Sequence, residues 1–310
     1  MKSFAIIGTG AVGGLYGAWL VRAGFDVHFL ARSDYHHIKS NGLQIDSKNG
    51  DFRLSHINVY DTPQTMPKCD VVIVSLKTTS NNILADIIPH IIKDNGIVLV
   101  MQNGMGFEEQ IAKIVAPHTV FGVLCFVCSN KIGPGYIHHL DFGHISIGQY
   151  SSGAKPLGIT EQLKEIGKAF SQANVRVTLE PDLKTARWKK LVWNIPYNGL
   201  SVVLNTTTDL LMQNTYCREL VKKIMQEVLS GAIACGCGFE ESFIEKMMVY
   251  TDSMPPYKTS MKIDFDQKRP MEVESIFGTP LTVAKNAGAT LPLISMLYCQ
   301  LKFLDESNMA

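Results

Sequence analysis

The sequence predicts an α/β fold in two parts: a domain built on a parallel sheet over residues 1–180, then an all-helical domain over residues 181–310. Three observations support this prediction. A strand enters a glycine-rich turn and a helix at the N-terminus, apolar β-branched runs alternate with helical segments as far as Glu180-Pro181, and helical periodicity dominates afterwards. The change of pattern near residue 180 sets the predicted domain boundary.

The composition fits a globular protein and argues against two kinds of partner. The 310 residues are 46% hydrophobic and carry a net charge of +1. This near neutrality argues against nucleic acid and against a membrane surface held by charge. No uncharged apolar run is long enough for a membrane-spanning helix, and the segment after Lys2 lacks a convincing signal-peptide cleavage site. We therefore expect a cytoplasmic protein.

The cysteines and histidines indicate no redox or metal centre. Cys125-Phe-Val-Cys128 has the spacing of a redox motif, but it lies in a predicted strand, where the two thiols point to opposite faces. We interpret the seven scattered cysteines as reduced thiols. The nine histidines show no metal-ligand spacing, so we predict no metal site.

The turn near the N-terminus is the first functional signal. A strand predicted over residues 3–8 runs into the turn, and a helix predicted over 11–23 begins within it. The first glycine allows a tight turn, the second lets the backbone approach a pyrophosphate, and the third lets the helix pack on the strand. Free N–H groups at the helix N-terminus attract the same anion. We predict a Rossmann-like dinucleotide-binding domain whose cofactor contacts are Gly8, Thr9, Gly10, Ala11, Val12 and Gly13.

The remaining elements of the first domain follow in order. Further strands are predicted over 25–30, 70–76, 96–101, 119–127 and 175–179, and helices over 82–92, 107–115 and 160–172. Residues 43–59 alternate around Ser47-Lys-Asn-Gly50, which predicts a hairpin. Residues 135–150 also alternate, and we expect them to form an antiparallel cap on the edge of the sheet.

The end of the second strand indicates which dinucleotide binds. A cofactor without a 2′-phosphate is usually held there by an acid, but this strand ends in Arg32 and Ser33. A guanidinium and a hydroxyl suit a phosphate dianion, so we favour NADP(H) over NAD(H). Asp34 comes one residue late and is predicted to cap the next helix. The alternative is that Arg32 is a solvated loop charge.

Two polar residues follow successive strands. Lys77 closes the strand at 70–76, and Asn103 closes the next one. Ligands of open α/β sheets bind beyond the carboxyl ends of the strands, so both residues are predicted to face the cofactor. The alternative for each is a turn residue, since Asn-Gly is a frequent turn by itself.

The helical half carries a polar stripe in an otherwise apolar segment. Lys190, Asn194 and Asn198 are spaced by four and share one helical face, which Lys189 does not. Buried amides and an ammonium without partners would cost several kcal/mol, so the stripe is either exposed or meets a ligand. Pro196 lies within the stripe and is expected to kink or open the helix.

Two later residues complete the candidate set. Ser260 lies in Lys258-Thr-Ser-Met261, after a Pro-Pro loop, and Glu272 lies at a predicted helix start. The alternative role for Ser260 is an N-cap, which is compatible with ligand contact. The alternative for Glu272 is a partner of the helix dipole.

Together these features resemble the ketopantoate reductases (2-dehydropantoate 2-reductases) over essentially the whole chain. The resemblance rests on the glycine turn, Arg32, the Ser-Leu-Lys77 strand end, Gln102-Asn103-Gly104, Trp188-x-Lys190-x-x-x-Asn194, Lys258-Thr-Ser260-Met and Glu272, in that order. It implies NADPH-dependent reduction of 2-dehydropantoate to (R)-pantoate, a step towards pantothenate and coenzyme A. A small 2-oxo acid is then the ligand, and a homodimer is one assembly open to the protein.

The resemblance also assigns roles. Lys190 would be the proton donor, with Glu272 reaching both that lysine and the cofactor ribose. These two are the candidate catalytic residues. Asn103, Asn194, Asn198 and Ser260 would contact the substrate, and Arg32 and Lys77 would bind the adenosine phosphate side of the cofactor.

Two departures leave alternatives open. Tyr257 stands where the family commonly has an asparagine, and the segment Asn205-Thr-Thr-Thr208 does not align with certainty. A related NADPH-dependent reductase of another 2-oxo acid is therefore a second reading. A third is a non-catalytic NADP(H)-binding regulator, although such a protein would not need Lys190, Ser260 and Glu272 together.

Overall fold

The computed structural model describes residues 2–153 and 155–309. The chain divides into two compact units: residues up to 102 with 107–183, and residues 103–106 with 184–310. The sequence places a single boundary at 180/181, whereas the units part at 183/184 and the second also contains the short segment 103–106.

The first unit is built on one ten-stranded sheet. Its strands are β1 (Ser3–Ile7), β2 (Asp26–Leu30), β3 (Leu43–Ser47), β4 (Phe52–Leu54), β5 (Asn58–Tyr60), β6 (Cys69–Val74), β7 (Ile92–Val100), β8 (Val120–Gly133), β9 (Tyr136–Gln149) and β10 (Val177–Glu180). The order across the sheet is β4-β3-β9-β8-β7-β6-β1-β2-β5, with β10 pairing β9. The run from β8 to β2 is parallel, as predicted, and β5 extends it in parallel beside β2.

The central strands are apolar on both faces. Along β1, Phe4 and Ile6 belong to one core cluster, while Ala5 and Ile7 belong to the cluster on the other face, and all four are almost fully buried. Parallel strands covered on both sides require such continuous apolar runs. Helices α1 (Ala11–Arg22), α2 (Tyr35–Asn41), α3 (Leu84–Ile91), α4 (Phe107–Ile111) and α5 (Glu161–Gln172) complete the unit.

Three of the predicted elements differ in the structure. The strand within 135–150 is antiparallel to β8, as predicted, but it does not cap the edge, because β3 pairs with it in parallel and β4 continues beyond. The predicted hairpin at 43–59 supplies that β3–β4 pair, and its last residues form β5 at the opposite edge. The helix predicted over 107–115 ends at Ile111.

The second unit is helical, as predicted. Its helices are α6 (Leu183–Val203), α7 (Thr208–Gln213), α8 (Thr215–Ala234), α9 (Ser242–Asp252), α10 (Ser260–Asp266), a π-helical turn (Glu274–Gly278), α11 (Thr279–Asn286) and α12 (Pro292–Met309). Within the described residues, no helix combines the length and apolarity needed to cross a bilayer.

The predicted opening of the helix at Pro196 is wrong, because α6 continues through it to Val203, whereas the predicted kink stays a prediction. A proline inside a helix costs about 3 kcal/mol through a lost hydrogen bond and a clash. Its neighbours Ile195 and Tyr197 are fully buried in the core of the unit. Each such side chain contributes about 1.5–3 kcal/mol on burial, which is enough to hold the helix together.

Candidate active site

The glycine turn has a steric reason at two of its positions. Gly8 has φ +97°, and a Cβ there would lie 2.9 Å from the backbone nitrogen of Leu76. A Cβ on Gly13 would lie 2.0 Å from Ser75 Oγ and 2.3 Å from the Gly8 carbonyl oxygen. The single hydroxyl hydrogen of Ser75 is shared between the carbonyls of Ile7 (3.0 Å) and Gly8 (2.8 Å), which fixes the turn against β6.

Gly10 differs from these two, because a Cβ there would meet nothing within 4 Å. Gly10 is also the N-cap of α1, and neither a capping side chain nor an acid occupies the first turn. The first N–H with a helical partner is that of Gly14, which donates to Gly10 O at 2.9 Å. The N–H groups of Ala11, Val12 and Gly13 precede the first helical hydrogen bond, and such groups at a helix N-terminus suit a bound pyrophosphate.

The loop after β2 lies beside this turn. Ile7 and Leu30 are register partners, and Thr9 Oγ1 donates to Leu30 O at 3.2 Å. Arg32 and Ser33 are exposed in this loop, whereas Asp34 is buried.

The predicted capping role of Asp34 is wrong. The residue occupies the N-cap position of α2, but its side chain accepts no hydrogen bond from the helix. Its carboxylate accepts instead from Ser33 Oγ (3.1 Å), Lys131 Nζ (2.6 Å) and the backbone N–H of Gly135 (3.1 Å). The Lys131 ammonium and the Gly135 amide, both from the β8–β9 hairpin, thus bind the Asp34 carboxylate in place of the N–H groups of α2.

Lys77 and Asn103 fall in different units. Lys77 is exposed at the start of a 3₁₀ turn, Thr78–Ile83, and its carbonyl accepts from Ser80 N at 3.0 Å. Gln102, for which the sequence predicts no role of its own, links the ends of β6 and β7. Its Nε2 donates to Leu76 O (2.8 Å) and to Asn81 Oδ1 (2.6 Å). Asn103 belongs to the second unit.

The segment 103–106 is anchored on the π-helical turn. Met105 N donates to Ser275 O at 3.0 Å. Gly104, with φ +101°, would carry a Cβ only 2.2 Å from that same oxygen. Thr279 N donates five residues back to Glu274 O, so the next donor in this register would come from position 280. Position 280 is a proline without an N–H, and no helical donor there competes with Met105 for Ser275 O.

The polar stripe of α6 is buried at two of its three positions. Asn194 and Asn198 are 7% and 3% exposed, and Lys190 is half-buried. Asn198 Nδ2 donates to Asn194 O (2.9 Å), and its Oδ1 accepts from Met261 N (3.3 Å). The amide nitrogen of Asn194 is buried and has no partner among the described residues. An unsatisfied buried donor is costly, and a ligand oxygen at this amide would remove that cost.

The same stripe fixes the start of α10. Thr259, not Ser260, is the N-cap, and its side chain accepts from Lys262 N at 3.2 Å. Ser201 Oγ bridges Thr259 Oγ1 (2.8 Å) and Asn198 O (3.1 Å). The alternative role of Ser260 as a cap is therefore wrong, and Ser260 is the first helical residue.

Glu272 lies two residues before the π-helical turn and is 6% exposed. Its carbonyl accepts from Ile276 N (3.2 Å) and from Ser275 Oγ (3.3 Å). π-Helical turns are rare and occur frequently at functional sites. The turn that follows Glu272 is the same one that anchors residues 103–106.

The two departures from the family pattern form one local structure. Tyr257 O accepts from both the backbone N–H (3.1 Å) and the hydroxyl (3.3 Å) of Thr208. Asn205, with φ +50°, lies two residues after the end of α6, and Thr206 N donates back to Ser201 O at 2.9 Å. The ring of Tyr257 lies 6.4 Å from that of Trp193 on α6. The Tyr257 backbone and Thr208 are therefore in direct contact.

The cysteines form no disulfide; all seven lie in the described part of the chain. Burial raises the pKa of the Cys69 thiol to about 11, so this thiol stays protonated and unreactive at neutral pH. Among residues 2–153 and 155–309, no three metal-ligating side chains come together.

A glycine turn at the carboxyl end of a central parallel strand, with a free helix N-terminus beside it, defines an oxidoreductase-type dinucleotide-binding domain. The family model for ketopantoate reductase PanE/ApbA matches residues 4–152, and the model for its C-terminal domain matches 182–305. The chain belongs to this family of NAD(P)-dependent oxidoreductases.

Individual relatives agree. A 2-dehydropantoate 2-reductase from Nostoc sp. is 54% identical over 99% of this chain and 96% of its own length. The crystal structure of 2-dehydropantoate 2-reductase from Geobacter metallireducens is 40% identical, covers 97% of this chain and 99% of its own, and has a TM-score of 0.93. A D-mandelate dehydrogenase solved with NADH shares the fold at 19% identity, with a TM-score of 0.88 over 99% of this chain and all of its own.

Proposed function

We propose that this chain reduces 2-dehydropantoate to (R)-pantoate with NADPH. The 54% identity to the Nostoc enzyme and the family models support the reaction. The observation that carries the assignment of the substrate side is the unpartnered amide of Asn194, buried on the face of α6 that also holds Lys190. A ligand oxygen at that amide would remove the cost of burying it unsatisfied.

Lys190 is the proposed proton donor. The nicotinamide cofactor supplies a hydride to the ketone carbon when bound. Negative charge then develops on the ketone oxygen, where an ammonium stabilises it and transfers a proton, giving the secondary alcohol. Glu272, buried before the π-helical turn, is proposed to hold the lysine in place and to bind the cofactor ribose.

Asn103, Asn194, Asn198 and Ser260 are proposed as substrate contacts. Asn198 uses one N–H and one lone pair inside the protein, which leaves a second of each for a ligand. Its bond to Met261 N also fixes Ser260 next to the stripe. Asn103 lies in the segment that is held by the hydrogen bond from Met105 N to Ser275 O. Two-point amide and hydroxyl recognition of this kind suits the carboxylate and hydroxyl of a small 2-oxo acid.

The proposed cofactor is NADPH, bound through the glycine turn, Arg32 and Lys77. Exposed cations at the ends of β2 and β6 suit the 2′-phosphate and the adenosine side. Arg32→Met should weaken NADPH binding with little effect on NADH. Equal loss for both cofactors, or none, would contradict this assignment.

The function is tested by NADPH oxidation with 2-dehydropantoate in the parent chain, in Lys190→Ala and in Lys189→Ala. We expect a loss of about 10³-fold in kcat for Lys190→Ala, within the range of proton-transfer catalysis. Lys189 lies 6.0 Å over the Phe239 ring, on another face of α6, so it is the matched control and should leave kcat unchanged. Near-parent turnover in Lys190→Ala would refute the role of that lysine.

A reductase of another branched 2-oxo acid is the second candidate, favoured by the Tyr257–Thr208 structure. A panel of 2-oxo acids separates the two. A tenfold higher kcat/KM on another acid, about 1.4 kcal/mol in transition-state binding, would replace the proposed substrate. Protein that binds NADPH yet reduces no 2-oxo acid would be a regulator instead.

The cytoplasmic location stays a prediction.

We further propose a homodimer formed through the second unit. Leu204 and Met296 are 47% and 53% exposed beside an apolar groove between α6, α8 and α12, and Phe303 is 69% exposed two turns along α12. A ketopantoate reductase from Staphylococcus aureus with this fold is described as dimeric. Sedimentation of the parent chain and of Met296→Glu tests this, and a monomeric parent would refute it.

A further inference from the structure

The loop proposed to receive the 2′-phosphate contains a buried acid. Arg32 and Ser33 are exposed there, and Asp34 follows them at 7% exposure. Tyr35 N donates to Arg32 O at 3.3 Å, so residues 32–35 form one tight turn. The carboxylate of Asp34 is therefore held a few ångströms from the backbone that carries Arg32.

An acid in this loop conflicts with a phosphate. A carboxylate after β2 is the usual partner of the ribose hydroxyls of NAD(H), and it repels a 2′-phosphate. Although burial raises the pKa of Asp34, the hydrogen bonds from Lys131 and Gly135 outweigh this and hold the pKa below its ordinary value. Asp34 is therefore ionised at neutral pH, and a compensating charge must be present if NADPH is to bind.

Lys131 supplies that charge from the β8–β9 hairpin. Its Nζ lies 2.6 Å from Asp34 Oδ2, which also accepts from the Gly135 amide at 3.1 Å. The other oxygen, Oδ1, accepts from Ser33 Oγ at 3.1 Å. Both oxygens are thus engaged within the protein, and the nearby charge is cancelled by a lysine 97 residues away in the chain.

We propose that Lys131 determines cofactor specificity: by pairing with Asp34, it prevents that carboxylate from repelling the 2′-phosphate and from binding the ribose hydroxyls of NADH. This inference rests on the proposed use of NADPH. Lys131 is a positioning residue, because it acts through Asp34.

Lys131→Met tests the inference by binding rather than by turnover. The dissociation constants of NADPH, NADH and adenosine 2′,5′-bisphosphate are measured by titration calorimetry on the purified chain. An uncompensated charge several ångströms from a dianion should lower the preference for NADPH over NADH by about fivefold to tenfold. Adenosine 2′,5′-bisphosphate should weaken by a similar factor, and the effect should shrink as salt is raised.

Asp34→Asn, alone and combined with Lys131→Met, gives the opposite test. Asparagine keeps the side-chain shape, so the double variant should regain the parent preference within about twofold. Asp34→Asn alone leaves Lys131 uncompensated and should raise the preference for NADPH. An unchanged or lowered preference in that single variant would overturn the inference, even if Lys131→Met does not fold.

Lys93→Met is the matched control. Lys93 pairs with Asp70 at 2.9 Å, also in the first unit, but Asp70 lies near the start of β6, at the opposite end of the strand from the glycine turn. Its loss should leave the cofactor preference unchanged. If Arg32→Met lowers the preference for NADPH and Lys131→Met does not, the role of Lys131 is refuted while the proposed NADPH site stands. If neither variant lowers it, the proposed NADPH site fails as well.

Discussion

The two units present ligand-binding groups in different ways. In the first unit the groups suited to a pyrophosphate are backbone N–H groups at the start of α1, and side chains enter only at the tips of β2 and β6. In the second unit the candidate groups are side chains, and those on α6 are tied to the start of α10 by the Asn198–Met261 and Ser201–Thr259 hydrogen bonds. A backbone site tolerates no added bulk, whereas a side-chain site depends on each partner of its network.

The largest effect is expected from paired substitutions in the glycine turn. Gly13→Ala places a Cβ 2.0 Å from Ser75 Oγ and 2.3 Å from the Gly8 carbonyl, which the backbone cannot accommodate in place. We expect a loss of about 3 kcal/mol in unfolding free energy, at the upper end of overpacking effects. Thermal denaturation measures this change.

Gly10→Ala is the counterpart, since its Cβ meets nothing within 4 Å. Its stability should fall by no more than about 1 kcal/mol, the cost of a poorer N-cap residue. NADPH binding should weaken by at least about tenfold, because the methyl group takes the space of the pyrophosphate. Unchanged binding in Gly10→Ala would break the view that the first unit binds through its backbone.

Asn194→Leu should separate stability from activity in the second unit. It removes a buried donor without a partner, so the free energy of unfolding should stay level or rise by about 1 kcal/mol. The value of kcat/KM should fall by about 100-fold, because a substrate oxygen loses its amide. Stability and activity falling together would mean that the amide serves the fold and not a ligand.

Thr259→Ala should act more mildly. It removes the N-cap of α10 and the partner of Ser201 Oγ, and such a loss costs about 1 kcal/mol. Thr259→Ser keeps the hydroxyl and is the control for denaturant unfolding. KM for the 2-oxo acid should rise in the alanine variant only, since Ser260 follows directly. An unchanged KM would show that the Thr259 cap does not affect substrate binding.

The smallest effect is a pH dependence in the first unit. His139 is fully buried between Ser47 (2.8 Å) and the carbonyls of Asp141 and Phe142, with Trp19 against its ring and the Lys48–Asp141 pair nearby. Burial, aided by Lys48, lowers its pKa below the ordinary 6.5. The unfolded chain therefore binds this proton more readily than the folded chain.

Stability should accordingly be complete above pH 6.5 and decline as the pH falls below that value, with a slope of at most about 1.4 kcal/mol per pH unit for one proton. His139→Gln, unfolded in denaturant across the same pH range, should show a shallower decline. NADPH binding should not follow this titration. An identical pH profile for the two proteins would exclude His139 as its source.

The sequence predicts what depends on local periodicity. β1, the glycine turn and α1 follow one another within 22 residues, and the spacing of Lys190, Asn194 and Asn198 places them on one helical face. The buried strands β6 and β7 are recognisable as apolar runs for the same reason. The residues that make up each of these patterns lie close together in the sequence.

What could not be predicted depends on distant partners. Lys131 redirects Asp34 away from its capping position across 97 residues of sequence, and the pairing of β3 with β9 moves the sheet edge outward. The choice of Thr259 over Ser260 as a cap follows from Ser201 on another helix. Helix α6 continues through Pro196 because burial of the neighbouring side chains in the core stabilises it. None of these outcomes has a local signature.

The anchoring of residues 103–106 has a consequence for dissecting the protein. Met105 is 8% exposed within the apolar cluster of the helical unit, although it lies some eighty residues ahead of the rest of that unit. A fragment that starts at Lys184 would lack this side chain and would leave Ser275 O without the Met105 N–H. A single cut between the regions matched by the two family models therefore separates the helical unit from one of its own segments. An exchange of domains between homologues must carry the tetrapeptide Asn103–Gly106 along with the helices.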